Sequence, residues 1–241
     1  MVEATGVHGF PSSHWSLVAQ AGAADCAVAH RALADLCRRY WYPVYAYIRR
    51  HFRTDHEAED LTQGFFTHLL QTDAILAADP SRGRFRSYLL TCCRNYLANT
   101  RRAAWALKKG GGIVIVGLDF QAAAARYAQE PADPADPEAL YLRRWAITLL
   151  EETFATLEGE YRETGQGALF TRLRGSLTGD PEVGPYAETA VATGMTEAAV
   201  KKSAQRLRER FGDELRRRVG DTVADPAGVA DEIRDLFAAL R

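Results

Sequence analysis

The sequence predicts an all-α protein of two helical domains joined by a proline- and acid-rich linker, and three observations carry that expectation. Apolar residues recur at steps of three and four, the period of one helix face, first in the set Leu33, Leu36, Cys37, Tyr40, Trp41, Val44 and Ile48. The segment QEPADPADPE, residues 129–138, places three prolines and four acids where no periodicity survives, which is linker composition. After Pro185 the chain reads as a short helix, a glycine turn and a long helix. One short apolar run, Ile113 to Val116 behind the glycines 110–112, reads as either a strand or an extended connector.

The elements follow in order. Pro43 is expected to divide the first periodic stretch into two helices, because proline lacks the N–H that a helix interior needs. Thr54 with Glu57 three residues on has capping-box form and opens a helix striped by Ala58, Leu61, Phe65 and Leu69. Turn residues Asp79 to Gly83 precede a helix beginning near Arg84, whose stripe is Phe85, Tyr88, Leu89, Cys92 and Tyr96. Leu142 to Leu157 and Gly165 to Leu177 are helix candidates beyond the linker. Tyr186 to Thr193 is a short helix, Gly194 its left-handed stop, and Thr196 the N-cap of a long helix toward Arg218. In the acidic tail after Gly220, the residues Val229, Ile233, Leu236, Phe237 and Leu240 again have helical spacing.

Composition narrows the class. At 241 residues with 47% hydrophobic and 25% charged side chains, the chain is neither disordered nor low-complexity. Its formal net charge of −1 names no partner, but the charges are segregated. Eight basic residues and no acid occupy residues 81–118, and eight basic against three acidic occupy 198–218. Residues 119–138 and 219–241 are acidic in turn, each with five acids. Two basic blocks suit two stretches of one nucleic acid, and the acidic segments disfavour indiscriminate binding. The four cysteines, Cys26, Cys37, Cys92 and Cys93, form no CxxC pair and read as small core residues in a reducing compartment. Neither a signal peptide nor a run of about 18 apolar residues is present, so a cytoplasmic location away from membranes is expected. No P-loop, GxSxG, HExxH or metal-ligand cluster occurs and the six histidines are scattered, so neither metal nor cofactor is expected, nor enzyme activity.

Three segments carry the functional expectation. In residues 186–211, Ala190, Gly194 and Val200 stand at the crossing, turn and core positions of a helix-turn-helix, with Met195 in the apolar slot after the turn. The second helix of such a motif enters the major groove by its N-terminal part. That makes Thr196, Glu197, Lys201, Lys202, Gln205 and Arg206 the candidates for DNA contact, with Arg208 and Arg210 further along. In the basic block, Tyr88, Tyr96 and Trp105 lie among Arg82, Arg84, Arg86, Arg94, Arg101 and Arg102. Cations pair with phosphates and aromatic faces hold unstacked bases, so the mixture suits single-stranded or melted DNA, although Tyr88 or Tyr96, on the apolar stripe, is expected in the core. Glu57, Glu59, Asp60 and Gln63 give the preceding helix a polar, acidic face with Phe66 at its margin, the composition of a protein-docking surface.

Taken together, a helix ending RRYWYPVYAYIRR, an acidic EAEDLTQGFFTHLL helix, a DPSRGRFRSYLLTCCRNYL segment, a linker and a C-terminal helix-turn-helix strongly resemble the bacterial RNA polymerase sigma factors of the extracytoplasmic-function group of the sigma-70 family. The resemblance implies a region 2 domain at 15–110, a linker at 111–140, a region 4 domain at 141–220 and an added acidic extension at 221–241. It implies that Glu57, Glu59, Asp60, Gln63 and Phe66 dock on the clamp helices of core RNA polymerase. It also implies that Arg82, Arg84, Arg86, Arg94, Asn95, Arg101 and Arg102 engage the minus-ten element as it melts, while the helix-turn-helix reads the minus-thirty-five element as duplex. An anti-sigma protein is a further candidate partner. Three departures stand out: Gly64 in the middle of the docking helix, the long glycine-rich stretch 158–184, and the tail. The rival expectations are a stand-alone helix-turn-helix regulator, which would leave the acidic helix idle, and a helical enzyme acting on a phosphorylated substrate.

Overall fold

In a computed structural model of the chain, the described residues are 26–241 apart from 53, 73, 76, 80, 82, 105–118, 130–135, 179–185 and 224. Among them the regular elements are all helices: α1 Cys26–His51, α2 Asp55–Gln71, α3 Phe85–Ala104, α4 Phe120–Tyr127, α5 Pro137–Glu163, α6 Gly167–Thr178, α7 Tyr186–Thr193, α8 Glu197–Gly220 and α9 Val229–Ala239. The all-α class is as expected. The run Ile113 to Val116, Trp105, Arg82 and most of the proline-rich segment lie outside the described residues, as do the side chains of Cys26 and Arg102.

The chain divides into two units, Met1–Ala146 with Val219–Arg241, and Ile147–Arg218. The first unit is built on α1, which Pro43 does not divide. A proline inside a helix costs about 3 kcal/mol through the lost hydrogen bond and the crowded carbonyl four residues back. Burial offsets this, because Tyr42, Val44, Tyr45, Ala46, Tyr47 and Ile48 are each at most 4% exposed, so the helix is held on both sides of the proline. Thr54 caps α2 as expected, its Oγ1 accepting from Glu57 N at 3.3 Å. Phe65 and Leu69 bury the expected stripe.

Two boundaries differ from the expected ones. The expected linker 111–140 contains α4, with Asp119 capping Ala122 N at 3.0 Å and four consecutive alanines favouring helix. Its rings pack on α1: Phe120 lies 5.9 Å from Trp41 and 6.0 Å from Tyr45, and Arg126 sits 4.3 Å over Tyr42. Helix α5 begins at Pro137, where a missing N–H costs nothing, and its residues 137–146 belong to the first unit rather than to the second. There Tyr141 and Trp145 are buried, and Tyr141 Oη donates to the Arg86 carbonyl at 3.0 Å. The expected extension also joins the first unit, through the buried Leu236 and Glu232 of α9.

The second unit packs α6, α7 and α8 with the later part of α5 around Phe154, Leu157, Phe170, Leu173, Ala190, Val200, Ala204 and Leu207. Met195 and Phe211 flank this core. Arg218 of α8 pairs with Glu152 of α5 at 2.8 Å and with Glu214 at 2.8 Å.

Candidate nucleic-acid interface

The helix-turn-helix geometry follows its local signals. Gly194 has φ +67, the left-handed conformation that glycine adopts without a Cβ penalty, and Met195 N closes the turn on Ala190 O at 3.0 Å. Thr196 Oγ1 then accepts from Ala199 N at 3.2 Å and caps α8. With Ala190 and Val200 buried at the crossing, the opposite side of α8 faces solvent. Thr196, Glu197, Lys201, Lys202, Gln205 and Arg206 are all exposed. Lys201 Nζ pairs with Glu197 at 2.8 Å, and that hydrogen bond holds its ammonium above the ordinary lysine value. Gln205 donates to Glu209 at 3.0 Å, Arg208 donates to Tyr186 Oη at 2.8 Å, and Arg210 pairs with Glu160.

On the first unit, α2 presents Glu57 and Asp60 to solvent and leaves Glu59 and Gln63 half-buried. His56 Nδ1 lies 3.1 Å from Asp60. Beside them is a cavity of about 650 Å³ bounded by Phe52, Leu61, Leu97 and Arg101 together with Thr54, His56, Glu57 and Asp60. An apolar floor with an acidic rim is a surface able to receive another protein's apolar and basic side chains. Phe66 does not contribute. It is 6% exposed and packs 5.3 Å from Phe65, so the expectation of an exposed aromatic there is corrected, because the margin of the α2 stripe is itself covered.

Among the described basic residues of the block, Arg84 and Arg86 are engaged inside the protein. Arg86, expected to face DNA, is 5% exposed; its Nε and Nη2 donate to Glu232 Oε1 and Oε2 at 2.7 and 2.8 Å, and its guanidinium stacks 4.7 Å over Trp145. Burial would lower the Arg86 pKa, but the Glu232 hydrogen bonds and charge outweigh it and hold the group above the usual arginine value. As it stands, Arg86 is a structural cation rather than a surface contact. Arg84 pairs with Glu232 at 2.6 Å and also with Asp235, and Arg94 pairs with Glu138 at 2.6 Å. Arg101 is exposed, over the Phe52 ring at 5.1 Å, and Asn95 is exposed. Tyr96 packs against Phe65 and His68 and Tyr88 donates to the Ala74 carbonyl; both rings are half-buried at the margin of the packing rather than in the core.

Sequence reasoning missed the partners of these arginines, Glu232, Asp235, Glu138 and Trp145. Their signal was present as an acidic tail of helical period, but nothing local says which basic block it meets. Among the described residues no group of His, Cys, Asp and Glu could hold a metal ion, and no helix is long and apolar enough to cross a membrane.

Against known families, residues 28–106 match sigma-70 region 2, a stretch that takes in α1, α2, α3 and the loop between the last two. The match supports a role for this segment in transcription initiation, with RNA polymerase and promoter DNA as its partners. Over those residues, about a third of the chain, it is similar to the sigma-70 family of sigma factors. No curated protein and no solved structure matches it.

Proposed function

We propose that the chain is a promoter-recognition subunit of the extracytoplasmic-function group, an adaptor that performs no covalent chemistry. The exposed face of α2 docks on the clamp helices of core RNA polymerase through Glu57, Glu59, Asp60 and Gln63. The loop before α3 and the exposed positions Asn95 and Arg101 meet the minus-ten element, and the N-terminal part of α8 reads the minus-thirty-five element through Lys201, Lys202 and Gln205. Flipping a base out of the stack costs a few kcal/mol, which contacts made only to the melted strand can offset. The observation that carries this reading is the region 2 match falling on a unit whose acidic helix is exposed, in a chain that also holds a capped helix-turn-helix with an exposed second helix.

In vitro transcription with purified core polymerase on a genomic library tests the class and identifies the promoter together. Asp60→Arg with Gln63→Ala, at solvent-facing or half-buried positions, should abolish co-purification with core polymerase while leaving the circular-dichroism spectrum unchanged; normal co-purification refutes the docking face. Lys201→Ala and Gln205→Ala should impair transcription chiefly from promoters carrying the native upstream element, whereas an equal loss on every promoter makes them phosphate contacts.

A further inference from the structure

We propose that α9 is an acidic clasp whose Glu232 and Asp235 carboxylates occupy the Arg84 guanidinium in place of a DNA phosphate, so that the docked helix and a DNA strand compete for the front of α3. This rests on the promoter-binding reading above and adds its regulation. Glu232 is fully buried and receives three donors: Arg86 Nε on Oε1, and Arg86 Nη2 and Arg84 Nε on Oε2. Arg86, packed on Trp145, is the seat that aims the carboxylate, and Asp235 reaches the other side of the Arg84 fork. A guanidinium accepts a carboxylate and a phosphate with the same planar, two-pronged geometry, so the two anions are direct competitors at Arg84, which keeps 31% of its side chain exposed.

The position is one where an anion is expected. The first turn of α3 contains no acidic residue of its own to pair with Arg84 and Arg86. The anion arrives from more than a hundred residues away instead. The hold is of a kind that can be exchanged. Helix α9 has 11 residues, too few to be stable alone in water. Within it Leu236 is fully buried while Phe237 stays 48% exposed. Removing Glu232 and Arg86 from water also offsets much of their attraction. The tether from α8 keeps the helix at a high effective concentration, which suits a clasp that is closed in the free protein and opened when DNA is presented at the same place.

The test uses the full chain and a fluorescein-labelled single-stranded oligodeoxynucleotide of mixed sequence. Glu232→Gln with Asp235→Asn should raise affinity about tenfold and steepen the dependence of log affinity on log salt by about 0.7 for each additional phosphate neutralised. The increase should vanish in an Arg84→Gln background. Unchanged affinity, or an increase that survives Arg84→Gln and so reflects net charge alone, overturns the clasp. If the double variant does not fold, α9 is an integral part of the first unit and the proposal fails unless wild-type protein shows the opening directly. In that measurement, amide hydrogen exchange across residues 229–239 should accelerate when the oligonucleotide saturates the protein; unchanged protection overturns the proposal. Transcription by wild-type protein with core polymerase reports on the promoter-binding reading separately: initiation with no effect of the clasp substitutions removes the clasp alone, and failure to initiate removes the reading beneath it.

Discussion

Gly64 offers the sharpest check on how the first unit is packed. Glycine inside a helix costs about 1 kcal/mol relative to alanine, so Gly64→Ala would stabilise α2 if nothing stood nearby. A Cβ at Gly64 would lie 2.3 Å from Tyr96 Oη and 3.4 Å from Cζ, with the hydroxyl contact about 1 Å too short. Relieving the clash requires the ring to leave its packing against Phe65 and His68, at 5.7 and 5.5 Å. Overpacking of this kind costs about 1–3 kcal/mol, which leaves Gly64→Ala destabilising by roughly 0–2 kcal/mol after the propensity gain. In a Tyr96→Phe background the hydroxyl is gone, and the same substitution should stabilise by about 1 kcal/mol. Urea unfolding of the four proteins, followed by circular dichroism, gives the coupling between the two sites as a double-mutant cycle. Equal stabilisation in both backgrounds would refute the reasoning, because it would mean that α2 and α3 do not approach closely at Gly64.

Gly194→Ala should destabilise the second unit by about 1–2 kcal/mol, purely through backbone strain, because φ is +67 and nothing lies within 4 Å of the added Cβ; Gly194→Asn should cost less, and thermal melting compares the two. Burial pushes the Cys37 thiol up to about 12 and raises Cys93 as well, so both should resist a thiol reagent at pH 8 until the first unit unfolds, with rapid native-state labelling counting against the core. Glu214 is held below the ordinary carboxylate value: burial acts to raise it, but hydrogen bonds and charge from Arg217 and Arg218 outweigh that. Its contribution to stability is therefore complete above about pH 4.3, the unfolded value, and is lost as pH falls through the depressed folded value. The stability gap between wild type and Glu214→Gln should accordingly be constant near neutrality and close in acid.

Much of this fold was legible from neighbouring residues. Thr54, Gly194 and Thr196 mark their helix ends through hydrogen bonds spanning five residues or fewer, and the α2 stripe is buried at Ala58, Phe65 and Leu69. On α3 Phe85 and Leu89 are buried as expected, but the covered face continues through Leu90, Cys93 and Leu97, leaving Tyr88, Cys92 and Tyr96 half-buried. Pro43 was misread because a local cost was weighed without the packing that offsets it. Residues 119–128 were misread as linker because the reward for α4 lies on α1, in Trp41 and Tyr45. Phe66 was misplaced for a similar reason, since one margin of a helix can be covered by a neighbour that periodicity does not reveal.

By itself the sequence determined the helical class, the ends of the capped helices, the helix-turn-helix and the segregation of charge, all of which depend on interactions within a few residues. Only the tertiary structure decided what those charges do. Arg86 and Glu232 are separated by 146 positions, and no periodicity, cap or composition links them. Their pairing exists because α3, α5 and α9 converge in one unit, where a buried guanidinium requires a carboxylate partner. That requirement turns an apparent surface cation into an internal one and an apparent tail into part of a domain.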